Sequence, residues 1–276
     1  MTRAETGFYG QLYGQPRFTD HGGTGELMID NTTFILPQPF ATRAFQWLET
    51  HPDDVLEFEA FVKIAEKTDA AMFDIGAHVG AFAVVFCKSS EHSVFAFEPV
   101  SQSQEVIRQT ADLNHIQAER IEVIGKALGR HSGTIEMHLD QTTGFLQALP
   151  TGAQVQTKVS MHVTTVDTMR TTINTRIGLL KIDVEGFEAE VLQGASKTLC
   201  GDRPVVLLEI HNACLAERGV SLKRMLVEVE RHGYSLMRLN GRTITAGAAS
   251  RVFLQRSHLL AVPTEKHRFY KRLLAR

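Results

Sequence analysis

The stretch Lys181-Ile182-Asp183-Val184-Glu185-Gly186-Phe187-Glu188 decides the fold. The run that leads into it, Gly178 to Ile182, is short and apolar, and it ends in a carboxylate and a turn. Two other stretches are built the same way. Ala71 to Ile75 carries Asp74 near its end and runs into Gly76-Ala77-His78-Val79-Gly80. Ser93 to Phe97 runs into Glu98-Pro99. Short apolar runs bounded by turns read as strands buried on both faces. Each is followed by a helical pattern, and alternating strands and helices favour a parallel sheet covered on both sides. Ligands of such sheets bind in the crevice outside the carboxyl ends of the strands. The three acids therefore converge on the edge where a ligand would sit.

Working outward, Arg120 to Ile124 and Pro204 to Ile210 read as further strands, with Tyr234 to Leu239 and Ser257 to Val262 as the last two. The expected fold class is α/β: a doubly wound, mostly parallel, seven-stranded sheet. Helices are expected over Gly80 to Cys87, from a capping box at Ser101-Gln102-Ser103-Gln104 to Asn114, over Phe187 to Leu199, and over 221–232. Thr134 to Leu139 and Val155 to Val166 alternate or favour β-branched residues and predict an inserted antiparallel pair. The polar segment 140–153 between them, with Gly144 and Gly152 as hinges, is a candidate lid. Residues 1–52 read as an N-terminal appendage and a possible substrate cover: a hairpin over Leu27 to Leu36 turning at Asp30-Asn31, then a helix over Pro39 to Thr50. The main domain, 53–276, opens with a helix signalled by Pro52 and Asp53, carrying Val55, Phe58, Val62, Ile64 and Ala65 toward the core.

Composition excludes several classes of partner. The 276 residues are 43% hydrophobic and 22% charged, with a net charge of -2, which gives no electrostatic case for nucleic acid. No apolar run approaches the roughly 20 residues that span a bilayer, and the glycine-rich start has no apolar signal core. The three cysteines, Cys87, Cys200 and Cys214, have no metal-ligand spacing and suit a reducing compartment, so a cytoplasmic location is expected.

The glycine turn after Asp74 is Gly-x-x-x-Gly rather than Gly-x-Gly-x-x-Gly. The middle glycine that lets a pyrophosphate touch the backbone is missing, and Asp74 suits an ammonium group instead. Glu98 follows this turn by about 20 residues, the place from which an acid grips a ribose diol. Asp183 stands over the middle of the sheet edge, while Glu185 and Glu188 are also placed to favour a helix start. Glu209 and His211 end the fifth strand, and histidine is the usual side chain for moving a proton near neutrality. Asp183, Glu209 and His211 could ligate a metal by residue type, but no spacing demands one, so no metal is expected. His115, His131 and His232 have no supporting pattern. Lys266, Arg268, Lys271, Arg272 and Arg276 read as the solvated face of a last helix.

Together these residues resemble the FkbM-type methyltransferases, which use S-adenosylmethionine. The resemblance rests on Asp74 to Gly80, Glu98-Pro99, Asn114, Ala127-Leu128-Gly129, Thr165-Val166-Asp167, Lys181 to Glu188, Leu192, Gly194, Pro204 and Glu209, and spans about 70 to 210. His78 stands where the family usually has Asn. The resemblance implies a Rossmann-like methyltransferase with Asp74, Gly76, Ala77, His78 and Gly80 around the methionine part of the cofactor. It implies Glu98-Pro99 at the ribose and Lys126-Ala127 beside the adenine, and Asp183 is expected among the cofactor-binding residues. It also implies methyl transfer to a hydroxyl oxygen of a sugar, glycan, lipid or polyketide-like small molecule. His211 and Asp183 are the candidate bases, with Glu209 orienting either. A nicotinamide-dependent dehydrogenase and a non-catalytic cofactor-binding module are the alternatives.

Overall fold

The computed structural model describes residues 16–140, 146–147, 156–253 and 256–275; most of the candidate lid lies outside the described residues. Strands β1 (Arg17–Asp20), β2 (Thr24–Ile29) and β3 (Thr32–Pro37) form an antiparallel sheet, β2 and β3 turning through Asp30-Asn31 as expected. Helices α1 (Phe40–Thr50) and α2 (Pro52–Ala65) follow. Leu27, Phe34 and Leu36 of this sheet share one buried cluster with Phe61 of α2 and with Met72.

The main sheet begins with β4 (Ala71–Ile75), helix α3 (Ala81–Ser89), β5 (Val94–Phe97), helix α4 (Ser101–Leu113) and β6 (Ile121–Ile124). A second sheet then interrupts it: β7 (Ala127–Leu128), β8 (Gly133–Asp140), β9 (Leu146–Gln147) and β10 (Gln156–Thr164), in the order β7-β10-β8-β9. The chain returns through α5 (Val166–Ile173), β11 (Ile177–Ile182), α6 (Glu188–Gln193), α7 (Ser196–Gly201), β12 (Val205–His211), α8 (Asn212–Glu217) and α9 (Leu222–Arg231). It closes with β13 (Tyr234–Met237), β14 (Thr243–Ile244), α10 (Ala246–Val252), β15 (Arg256–Pro263) and α11 (His267–Leu274).

Among the described residues the main sheet has eight strands, not seven, in the order β14-β13-β15-β12-β11-β4-β5-β6. The extra strand is the two-residue β14, too short to carry a periodic signal. The run β6-β5-β4-β11-β12 is parallel, and β15 is antiparallel to both of its neighbours. Counted along the chain, those five parallel strands lie in the order 3-2-1-4-5. The direction of winding reverses between β4 and β11, which is the topological switch point where such sheets bind ligands.

Four further expectations need correction. The inserted pair β8 and β10 is antiparallel, but it belongs to a four-stranded sheet in which β7 runs parallel to β10. The capping box does not form: Val100 is the N-cap of α4, and the Gln104 amide donates to the Glu98 carbonyl at 2.9 Å. The helix expected over 187–199 is two helices. The break falls at Gly194, where a Cβ would lie 2.0 Å from the Gly129 carbonyl oxygen, so the chain must pass too closely for a continuous helix. Finally, the buried face of α2 is wider than expected: Val55, Ile64 and Ala65 are buried as expected and Phe58 and Val62 pack partly buried against the same core, but Asp54, Glu57 and Phe61 are buried as well.

The two buried acids of α2 expose the logic of the site. On the sheet face that α2 and α3 cover, each strand is an apolar column with a charged tip. Met72 leads to Asp74, Leu179 to Lys181 and Asp183, Leu207 to Glu209 and His211, and Leu260 to His258 and Arg256. Helix α2 repeats the pattern, with acids Asp54 and Glu57 in its first turns and Phe61 and Ile64 beyond. Period 2 in the strands and i, i+3, i+4 spacing in the helix carry these charges to one end of the layer.

Candidate active site

Gly76 turns out of β4 with φ +84°, and a Cβ there would lie 1.8 Å from the Asp183 carbonyl oxygen. Its freedom serves the close approach of two backbones at the switch point. Gly80, the N-cap of α3 with φ +78°, packs against Ile107 of α4, where a Cβ would lie 3.0 Å from Cγ2. The contact is between helices. His78 adopts φ 50°, a conformation that Asn tolerates better than most residues; its ring meets Phe40 edge-on at 6.2 Å.

A cavity of about 320 Å³ opens over this edge. Of the expected cofactor residues, Gly76, His78, Glu98, Pro99, Lys126, Ala127 and Asp183 line it. Asp74, Ala77 and Gly80 do not, nor do Glu209 and His211. Asp74 lies behind the turn, 1% exposed, and neither of its carboxylate oxygens has a hydrogen-bond partner. Burial raises its pKa to about 6, against the pull of Lys181. Glu98 is buried at the cavity wall and accepts N–H groups from His78 and Val100, each at 2.9 Å. Burial raises it to about 7, opposed by those two donors.

Several lining residues escaped the sequence reading. Ile135, Met137, Met161 and Val163 of the inserted sheet form one wall, and His131 stands beside them. Their i, i+2 spacing gave the strands but not the destination of the apolar face. Phe187 and Glu190 line another side and are held by Arg218. Its guanidinium lies 3.6 Å over the Phe187 ring and bonds Glu190 at 2.6 Å and the Gly186 carbonyl.

Beside the cavity the carboxylates crowd together. Lys181, 2% exposed, reaches Asp183 at 3.2 Å and lies 4.3 Å over the Phe82 ring. Burial alone would depress this lysine, but Asp183, Glu57 and Asp74 hold its pKa raised. His211 donates from Nδ1 to the fully buried Glu188 at 2.8 Å. Its Nε2 then faces Glu185 and Glu209 at 3.5 Å and Asp183 at 3.9 Å. Burial disfavours the charged ring, yet Glu188 and Glu209 push it up to about 11. Asp183 is 28% exposed and Glu185 31%, so these two acids meet the cavity while His211 stands behind them. Arg256 bonds Glu209 at 2.8 Å and Asp54 at 3.1 Å, tying β15 and α2 to the cluster.

Asp183, Glu209 and His211 also hold ligand atoms within 4.8 Å of one another, a spacing the sequence did not reveal. No helix among the described residues is long and apolar enough to cross a membrane.

Comparison with known proteins bears on this site. No curated protein matches the sequence. A structure titled methyltransferase FkbM from Methylobacillus flagellatus KT is 16% identical, with TM-score 0.44, covering 82% of this chain and 56% of that one. This chain thus spans little more than half the length of that relative. A SAM-dependent methyltransferase from Agrobacterium tumefaciens is 11% identical with TM-score 0.46, covering 91% and 77% of the two chains. M. jannaschii TYW2, solved in complex with AdoMet, is 11% identical with TM-score 0.42, covering 90% and 84%. The methyltransferase FkbM domain model matches residues 74–236, more than half of the chain. That match starts at Asp74 and takes in Glu98, Asp183, Glu209 and His211, the residues at the carboxyl ends of the parallel strands, and the chain belongs to the FkbM methyltransferase family.

Proposed function

We propose that this methyltransferase moves the methyl group of S-adenosylmethionine to a hydroxyl oxygen of a sugar, glycan, lipid or polyketide-like small molecule. The observation that carries the reading is that one cavity meets both Glu98 and Asp183, at the tips of strands on either side of the switch point.

The residues fit the cofactor. Each Glu98 oxygen accepts one backbone N–H, and a carboxylate has about four lone-pair sites. Glu98 therefore has acceptor capacity left for a ribose diol. The partnerless oxygens of Asp74 set negative charge beneath the Gly76 turn, where an ammonium group would be favoured. Lys126, Ala127 and the apolar wall of Met137 and Met161 suit the flat face of an adenine.

When bound, the cofactor supplies an already activated methyl group on a sulfonium. The protein's task is to hold the acceptor oxygen in line and to take its proton. Asp183 is the base in this reading, because it is the strand-end acid of the cluster that lines the cavity. Burial and the neighbouring Glu209 raise its pKa, which suits a base, while Lys181 and His211 flank it and pull the other way. Glu188 fixes the His211 ring, and Glu209 braces the cluster from behind through Arg256. The inserted sheet gives the cavity an apolar wall of Ile135, Met137, Met161 and Val163.

The test is transfer of labelled methyl from S-adenosylmethionine to a panel of hydroxyl-bearing sugars, lipids and polyketides, with wild type and Asp183→Asn. Transfer to a hydroxyl that disappears in the variant supports the reading. Nicotinamide-dependent turnover, or methyl transfer to nitrogen alone, contradicts it.

A further inference from the structure

Beneath Arg256, and apart from the cavity, His258 of β15 points its Nε2 at three carboxylates. Glu57 Oε2 lies at 3.3 Å, Asp54 Oδ1 at 3.6 Å and Glu209 Oε2 at 3.7 Å. The imidazole is 4% exposed, Glu57 4%, Glu209 9% and Asp54 10%. Despite this crowding, His258 Nε2 makes no hydrogen bond, and neither does the other oxygen of Glu57. Buried polar atoms are nearly always hydrogen-bonded, so an unpartnered nitrogen facing three oxygens calls for an explanation.

The spacing supplies one. Ligands about 2.0–2.1 Å from a tetrahedral Zn²⁺ stand roughly 3.3–3.4 Å from one another. The nitrogen–oxygen distances here start at that value and exceed a good hydrogen bond. The ligand atoms of Glu57, Glu209 and His258 all lie within 4.8 Å of one another.

The surroundings orient the same set. Arg256 takes Glu209 Oε1 at 2.8 Å and Asp54 Oδ2 at 3.1 Å, and Trp47 Nε1 also bonds Asp54 Oδ2. The remaining oxygen of each acid, Glu209 Oε2 and Asp54 Oδ1, is thereby turned toward His258. Outer partners that fix ligand oxygens in this way are the usual second layer of a metal site.

We infer that Glu57, Glu209 and His258, with Asp54 beside them, form a buried site for a divalent cation such as Zn²⁺, which takes both imidazole nitrogen and carboxylate oxygen. The cation clamps α2 to β12 and β15. It also fixes Glu209, whose other oxygen faces His211 at 3.5 Å, so Glu57 and His258 act as positioning residues for the cluster beside the cavity.

The test uses the full chain and does not depend on activity. Wild-type protein produced with zinc and freed of loose metal is expected to carry about one equivalent by elemental analysis. Chelation is expected to lower its melting temperature and ZnCl₂ to restore it. His258→Gln and Glu57→Gln should lose both the metal and the response. So should His258→Lys, which supplies a cation without a lone pair. Wild type that carries no stoichiometric metal and whose melting temperature ignores chelator and ZnCl₂ overturns the inference, whether or not the variants fold. Metal retained in His258→Gln but lost in His211→Gln also overturns it, by placing the ion on Asp183, Glu209 and His211 instead.

Discussion

The carbonyl oxygen of Asp183 lies 1.8 Å from the point where a Cβ on Gly76 would stand. The oxygen belongs to backbone, and the Asp183 N–H is itself bonded to the Ile75 carbonyl at 3.0 Å. Neither partner can retreat without parting β4 from β11. Gly76→Ala is therefore expected to destabilise the protein by about 3 kcal/mol or more, from a left-handed backbone and an overlap with no room. Gly22→Ala is the control: φ is +81° but nothing lies within 4 Å. It should cost only about 1–2 kcal/mol. Urea denaturation of the two variants measures the difference.

Glu98 gives a prediction with a pH sign. Its carboxyl is raised to about 7 in the free protein, first by burial. Binding to ribose hydroxyls uses the ionised acceptor, so ligand lowers that pKa. Affinity for S-adenosylhomocysteine is then full above pH 7 and falls as pH drops through about 7. Hydrogen bonds to a charged group contribute about 1.5–3 kcal/mol, so Glu98→Gln should bind about tenfold to a hundredfold more weakly, with a flatter pH profile. An unchanged profile in the variant would remove Glu98 from the ribose.

Asp183→Asn separates chemistry from binding. Loss of a general base lowers turnover by roughly 10²–10⁴, while cofactor affinity should stay within a few-fold of wild type. His211→Ala disturbs the cluster from behind the cavity and should be the milder lesion. If His211→Ala were the more damaging under conditions where both variants fold, the roles of the two residues would be exchanged.

Arg218 is expected to resist conservative replacement. Its plane stacks on Phe187 and its fork holds Glu190, and both partners line the cavity. Lysine can reproduce neither the stacking nor the fork. Arg218→Lys should cost about 1–2 kcal/mol of stability and weaken cofactor binding as the wall loosens. Thermal melts with and without S-adenosylhomocysteine measure both effects.

Much of this architecture is legible from strand tips. Asp74, Glu98, Asp183 and Glu209 close apolar runs, and those runs are neighbouring parallel strands, so the acids converge on one edge. Lys181 and His258 were harder to find, because each is a charged residue at a position whose parity says core. The run Leu179-x-Lys181-x-Asp183 holds that information, but only the fold shows that α2 brings Glu57 to meet it. The wall from Met137 and Met161 was hidden for another reason: alternation announces a two-faced strand without saying what the apolar face covers. The capping box failed because Gln104 has a better partner in the Glu98 carbonyl, a tertiary contact that local sequence cannot rank.

The measurement that tests the central claim most directly is calorimetric titration of the full chain with S-adenosylmethionine, S-adenosylhomocysteine and NAD, repeated on Glu98→Ala. The account predicts saturable binding of the first two to wild type, clear weakening in the variant, and no binding of NAD. Binding of NAD in place of both, or binding of S-adenosylmethionine untouched by loss of Glu98, would contradict it.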